Sequence, residues 1–468
     1  MRPLQRKIAM LMKKTKTLLF LLFAMCILPQ CTTTVDEIYH IVTTVCEDAA
    51  TGVTVNYHCN RSDSYVLVTQ ADDSTFRHAK KVKPVSRPWS TAGIENTSTE
   101  STFYTKERFV CHATLSGLEA DSRYIYRIVA GRTRSDVRRF KTAGEKGAWN
   151  FVAFTDFQHR ENPVTLPLIQ TMKEIGGDPS LVVCSGDHID VAGNEYEWTF
   201  LLDNEVFRDF VYAASPGDHA YWTSDRTPDG HYPQYDKPHT FVNLFNFPDN
   251  GAASSPGSSY WFRYNNVLFV ALDMHNSNLS AGPRFDDQAA WFAQTMDRLQ
   301  GTYQYLVVLM HKSVFGSDRV DAAVARNIRP QWVPIFQKYG VNLILSGHDH
   351  IYSRTYALDG DRRAEDPARG TFYLDMGSSG DKWRSPDESL VEGDALHARV
   401  IDLKASTQSC ACNIEVDARE MHVTVYDQHA QAIDRFTIPA RPTSPHPVLL
   451  AAACHRQSPH PARFRETN

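Results

Sequence analysis

Between Asp36 and Lys141, short runs of alternating or β-branched residues recur: Ile38 to Val45, Val53 to His58, Tyr65 to Thr69, Phe109 to Leu115, Tyr124 to Val129 and Val137 to Lys141. Turn-rich sequence separates them, and a period of two with one apolar face predicts strands packed as a β-sandwich. From Trp149 the pattern changes. Continuous apolar runs, at Phe151 to Thr155, Leu181 to Cys184, Val267 to Leu272, Leu306 to Met310 and Val341 to Leu345, alternate with longer helical stretches. Those stretches are Val164 to Ile175, Glu195 to Phe207, Asp286 to Leu299 and Pro330 to Lys338. A strand that is apolar throughout is covered on both faces, so this half predicts an α/β domain. The TAGEKG segment from Thr142 to Gly147 divides the two patterns, giving a β domain over 36–143 and an α/β domain over 149–440.

The chain has 468 residues, 42% hydrophobic and 22% charged, a globular balance that excludes collagen, coiled coil and wholesale disorder. Its 49 basic and 54 acidic residues leave a net charge of −5, so there is no electrostatic case for gripping a nucleic acid duplex or an anionic membrane. The first segment changes the picture. Every charge before Thr17 is positive, and the apolar run from Leu18 to Leu28 is far shorter than the ~20 residues of a spanning helix. Residues 1–31 therefore predict a secretory signal and an exported protein, in the cell envelope or secreted. Leu28 to Cys31 resembles a lipoprotein lipobox, which makes Cys31 the lipid attachment point and gives the protein a lipid anchor to the membrane. Gln30 stands where that motif has a small residue, and simple cleavage is the alternative. In an oxidising compartment Cys46, Cys59 and Cys111 are expected to be structural thiols or to supply a disulfide, with the choice and the pairing open. The tail 441–468, with Pro442, Pro445, Pro447, Pro459 and Pro461 among Ser and His, reads as disordered.

The candidate chemistry lies where apolar runs end. Asp156 and Gln158 follow the first run, and Gly186, Asp187, His188 and Asp190 follow the second. Gly217, Asp218 and His219 come next, then His311 after LVVLM, then Gly347, His348, Asp349 and His350, with Tyr352 and Arg354 beyond. Ligand sites in such folds gather at strand ends, so these clusters converge on one pocket. A lone histidine is usually a satisfied core residue. Two imidazoles on one side of a turn suit a metal or a phosphate.

Taken in order, D-x-Q, GDxxD, GDH, H and GHDHxYxR resemble the calcineurin-like metallophosphoesterases, and within them the purple acid phosphatase group. Leu115, Gly117, Leu118, Tyr124, Tyr126 and Arg127 resemble the strand corner of fibronectin type III modules, which that group carries at its N-terminus. The resemblance covers Asp36 to about Ile438. It implies an N-terminal fibronectin III-like β-sandwich, then two mixed β-sheets flanked by helices, with two divalent or trivalent metal ions (Fe, Zn or Mn) at the strand ends. Asp156 would bind the first metal with His350 and, weakly, Gln158. Asp187 would bridge both metals, and Asp218, His311 and His348 would bind the second. A metal-bridging hydroxide would attack the phosphorus of a small phosphorylated substrate, with His219 as the catalytic acid or charge stabiliser. Asp190, His188, Tyr352 and Arg354 are candidate neighbours that position the ligands. Three departures stand out. Gln158 replaces a histidine; Asp218 replaces an asparagine, adding a charge that opposes a phosphate dianion; and Asp190 stands where the purple enzymes have their colour-giving tyrosine. The function expected is a phosphomonoesterase of acid phosphatase type. The alternatives are a phosphodiesterase or nucleotide hydrolase and, in another class, a non-catalytic surface-binding lipoprotein.

Overall fold

The computed structural model describes residues 36–89, 108–144, 147–158, 163–177, 179–222, 234–275, 283–317, 322–387, 396–401 and 408–441. The expected signal segment with Cys31 and the tail beyond Arg441 lie outside these residues. Among the described residues no helix is long and apolar enough to cross a membrane.

Each apolar run of the α/β half forms a strand. Trp149–Phe154, Leu181–Cys184 and Val211–Ala214 lie parallel in one sheet. Val267–Leu272, Tyr305–Lys312, Leu343–Gly347 and Phe372–Met376 lie parallel in a second, seven-stranded sheet. The two sheets face each other across a core in which Phe151 meets Phe269 edge-on at 5.3 Å, and Phe269 stacks on Phe262 at 4.8 Å. Each of these side chains is fully buried, contributing roughly 1.5–3 kcal/mol by transfer from water. The outer face of the second sheet is covered by helices Pro283–Leu299 and Ala322–Tyr339, through Phe292, Trp332 and Phe336. The latter helix begins earlier than its pattern predicted, so Pro330 and Pro334 fall inside it.

The N-terminal β domain packs directly against the α/β half. Its strands Ile38–Val45, Gly52–Cys59, Arg108–Ser116 and Val85–Trp89 continue the first catalytic sheet, making ten strands in all. The join is parallel pairing of Ile38–Val45 with Val211–Ala214, at Thr44 and Tyr212. Thr44 Oγ1 and Asn56 Nδ2 also donate to the Phe245 carbonyl, at 3.0 and 2.9 Å. A five-stranded sheet led by Tyr65–Gln70 and Arg123–Ala130 packs behind, with Tyr126 and Thr43 sharing a buried 2.9 Å hydrogen bond. At the far edge, Cys410–Val416 pairs antiparallel with Trp149–Phe154, followed outward by Glu420–Asp427 and Ala432–Pro439. Of the three cysteines read as structural thiols or a disulfide, Cys59 and Cys111 place their sulfurs 3.6 Å apart as thiols, while Cys46 lies beside Thr54.

Candidate active site

The parallel strands of both sheets deliver their last residues to one edge of the molecule. Asp156 and Gln158 leave Trp149–Phe154, Asp187 leaves Leu181–Cys184, and Asp218 with His219 leaves Val211–Ala214. His311 sits in Tyr305–Lys312, and His348 and His350 follow Leu343–Gly347. The chain must turn sharply here. Asp156, Gln158, Asp187, His348 and His350 all take left-handed backbone angles, with φ of 50°, 36°, 52°, 77° and 56°, a conformation that costs L-residues and collects at functional sites. Glycine makes the approach possible at two points. A Cβ on Gly217 would lie 2.0 Å from Asp187 Oδ1, and one on Gly347 would lie 2.0 Å from Asp156 Oδ2. Gly347→Ala is expected to displace the Asp156 carboxylate and cut metal uptake; metal content by mass spectrometry after dialysis checks it, and wild-type uptake would refute it.

Asp156, Asp187 and His311 bring one donor atom each within 4.8 Å of one another, all buried. His311 donates from Nδ1 to the Ser185 carbonyl at 3.0 Å, which leaves Nε2 3.1 Å from Asp187 Oδ2. His350 likewise donates from Nδ1 to the Lys382 carbonyl at 2.8 Å and aims Nε2 at Asp156 Oδ1, 3.3 Å away. His348 Nδ1 lies 3.6 Å from Asp218 Oδ2. With the Nδ1 protons committed to carbonyls, a lone pair and a carboxylate oxygen at this separation need a positive species between them, a proton or a metal ion. Gln158 donates from Nε2 to Asp187 Oδ2 at 3.1 Å, and its buried Oε1 has no hydrogen-bond partner.

His219 is held from both sides. Its Nδ1 donates to the Asp190 carbonyl at 2.5 Å, its ring lies 3.7 Å from that of Trp222, and Nε2 faces Asp187 Oδ2 at 3.5 Å. Asp190 is itself ion-paired with Lys382, so it reaches the site through His219. Three of the sequence candidates lie elsewhere. His188 donates or accepts at Tyr212 Oη, 2.8 Å away, among Phe157, Trp198, Phe241 and Phe245, and burial drives its pKa down to about 3. It is a neutral core histidine rather than a neighbour of the ligands. Tyr352 and Arg354 both turn to Asp434, at 2.8 and 2.6 Å, tying their strand to the last strand of the first sheet.

Two further residues close on Asp218: Lys312, which carried no legible signal, and His275, a polar residue near the motifs. Lys312, 3% exposed, places Nζ 3.1 Å from Asp218 Oδ2, and His275 places Nδ1 3.1 Å from Asp218 Oδ1 while stacking flat on Tyr221 at 3.7 Å. The carboxylate that replaces asparagine at Asp218 is thus balanced by a buried ammonium. Burial alone would raise the Asp218 pKa, but Lys312, His275 and His348 hold it well below the usual range.

Residues 38–142 match the model of the purple acid phosphatase N-terminal domain, and residues 150–352 match that of the calcineurin-like phosphoesterases. Residues 150–352 form a calcineurin-like phosphoesterase domain. The chain is 25% identical over 322 residues to an uncharacterised protein of Mycobacterium tuberculosis, covering 58% of each chain. It is 24% identical over 265 residues to purple acid phosphatase 1 of Ipomoea batatas, covering 53% of this chain and 52% of that one. The fold is similar to that of the purple acid phosphatase PPD1 from seeds of yellow lupin, Lupinus luteus, with a TM-score of 0.70 at 14% identity, over 86% of this chain and 74% of that one. The chain spans just over half the length of these two curated relatives.

A phosphoesterase of this fold uses divalent or trivalent metal ions, and the donor set fits them: buried carboxylates and imidazoles whose lone pairs converge. The same residues make the metal-free protein sensitive to pH. Burial pushes the Asp187 carboxyl up, but His219 and His311 beside it outweigh burial and hold it far below the usual range. Burial pushes His311 down, yet Asp187 and Asp156 raise it to about 10. A depressed carboxylate contributes stability above its unfolded pKa of about 4 and loses it in acid. A raised histidine contributes fully below about 6.5 and loses that contribution as pH climbs to about 10. Chelated protein should therefore melt highest between about pH 4 and 6.5 and fall towards pH 10. Thermal melts across that range check it, and an alkaline branch as flat as that of an Asp187→Asn variant would refute it.

Proposed function

We propose that the protein is a metal-dependent phosphomonoesterase with a dinuclear centre. The observation that carries this reading is the pair of imidazole-to-carboxylate approaches, His311 to Asp187 and His350 to Asp156, whose Nδ1 protons are already spent on backbone carbonyls. Asp156, Gln158 and His350 would hold one ion, Asp218, His311 and His348 would hold the other, and Asp187 would contribute to both. Two ions bound there supply positive charge for phosphate oxygens and acidify a water near neutral pH. The chain's own residues do the rest. His219 presents Nε2 to the substrate side and passes a proton to the leaving oxygen, its ring fixed by the Asp190 carbonyl and Trp222. Lys312 offsets the Asp218 charge, which removes the electrostatic reason to prefer a monoanionic diester over a dianionic monoester. The basic stretch and apolar run within residues 1–31 support export, with Cys31 as the lipid-bearing residue of an envelope protein.

The test is hydrolysis of a chromogenic phosphomonoester and a chromogenic diester by protein from Thr32 onward, stripped by chelator and reloaded with Mn, Zn or Fe. Stripping should abolish turnover and one of the metals should restore it, with the monoester preferred. Faster turnover of the diester with every metal would move the assignment to a phosphodiesterase. Stoichiometric metal uptake without turnover on either substrate would move it to a binding protein.

A further inference from the structure

A second group of metal-ligand side chains lies outside the cluster just described, where the N-terminal strands meet the helix Glu195–Leu202. His40 on Ile38–Val45, His58 on Gly52–Cys59 and Glu195 at the start of the helix bring one donor atom each within 4.8 Å of one another. They are 1%, 1% and 6% exposed and line one cavity. Their hydrogen bonding is incomplete in a particular way. Neither ring nitrogen of His58 has a partner, and His40 uses Nε2 on Thr199 Oγ1 at 2.9 Å while Nδ1 has none. A buried polar atom left unmatched is costly, so unpartnered nitrogens on both imidazoles, beside one carboxylate, point to a missing partner that accepts electron pairs. Arg108 Nη1 lies 2.5 Å from Glu195 Oε1 and its guanidinium sits over Trp89 at 4.7 Å. This pair fixes the orientation of the carboxylate, and Arg108 lines the same cavity.

We propose that His40, His58 and Glu195 form a zinc site separate from the phosphoesterase centre. Two imidazoles and one carboxylate suit zinc, which takes a fourth donor from the cavity side. The ion staples the first module to the loop and helix that follow Asp187. It acts structurally, since none of its ligands belongs to the catalytic cluster.

The experiment uses the full chain carrying Asp156→Ala, Asp187→Ala and His311→Ala, which disables the first centre. Equilibrated with zinc chloride and desalted, it should retain about one zinc per chain by mass spectrometry, and chelator should lower its melting temperature. Adding His58→Gln should remove that zinc and the chelator effect, and Glu195→Gln, which preserves side-chain volume, should do the same. Zinc-edge X-ray absorption of the protein with His58 intact should report two imidazoles and an oxygen ligand, a result independent of whether the His58 variant folds. No retained zinc, zinc unaffected by both added substitutions, or a shell without two imidazoles would each overturn the proposal.

Discussion

Replacing Asp187 by alanine is expected to lower kcat/KM for a phosphomonoester by at least about a thousandfold, equivalent to roughly 4 kcal/mol of transition-state stabilisation. The size follows from how much converges on this side chain. Oδ2 faces His311 Nε2 at 3.1 Å and accepts from Gln158 Nε2 at 3.1 Å, and Oδ1 accepts the His219 backbone N–H at 3.0 Å. Its loss leaves no carboxylate common to both halves of the cluster and frees the segment that carries His219. Asp187→Asn should be nearly as damaging, because an amide keeps the N–H contact but supplies no negative charge to the proposed metal centre. Steady-state kinetics with metal analysis, on variants verified by circular dichroism, would decide the matter. Activity above a tenth of wild type in the alanine variant would be incompatible with this centre.

The second large effect concerns Lys312. Lys312→Met should destabilise the metal-free protein by about 3 kcal/mol, because breaking a buried ion pair strands the remaining charge. His275, also on Asp218, keeps the loss from being larger. Lys312→Met combined with Asp218→Asn should recover most of the stability, since an uncharged pair of similar volume has no stranded ion. Denaturant unfolding of the four proteins in the cycle measures the coupling, and additive losses would show that the two side chains act independently. In the metal-loaded protein, Lys312→Met alone should slow hydrolysis of a dianionic monoester more than that of a monoanionic diester, as the Asp218 charge is no longer offset.

The metal-ligand candidates were legible because each follows an apolar run, where the hydrophobic pattern itself marks the end of a strand. Asp156, Asp187, His311, His348 and His350 could be placed on one edge from that alone, and the structure brings them together. The electrostatic partners could not be read this way. Lys312 directly follows His311, and a lysine after a buried strand reads as a residue reaching solvent. His275 depends on a flat stack against Tyr221, more than fifty residues earlier in the chain. His188 misled for the opposite reason: its position inside a polar motif suggested chemistry, whereas alternation along the turn sends its ring into the core. The six expected strands of the N-terminal half all formed, but the membership of three of them, Ile38–Val45, Gly52–Cys59 and Arg108–Ser116, in the first sheet rests on pairing between residues 44 and 212, which local pattern does not encode.

That join sets the order in which the chain can reach its native state. During synthesis at ~5–20 residues per second, Ile38–Val45 waits roughly 10–30 seconds before Val211–Ala214 emerges to cover it. In the interval a β-branched edge strand is open to the same edge on neighbouring chains. Refolding yield should therefore fall as protein concentration rises, and an excised piece ending near Gly144 would carry that exposed edge permanently.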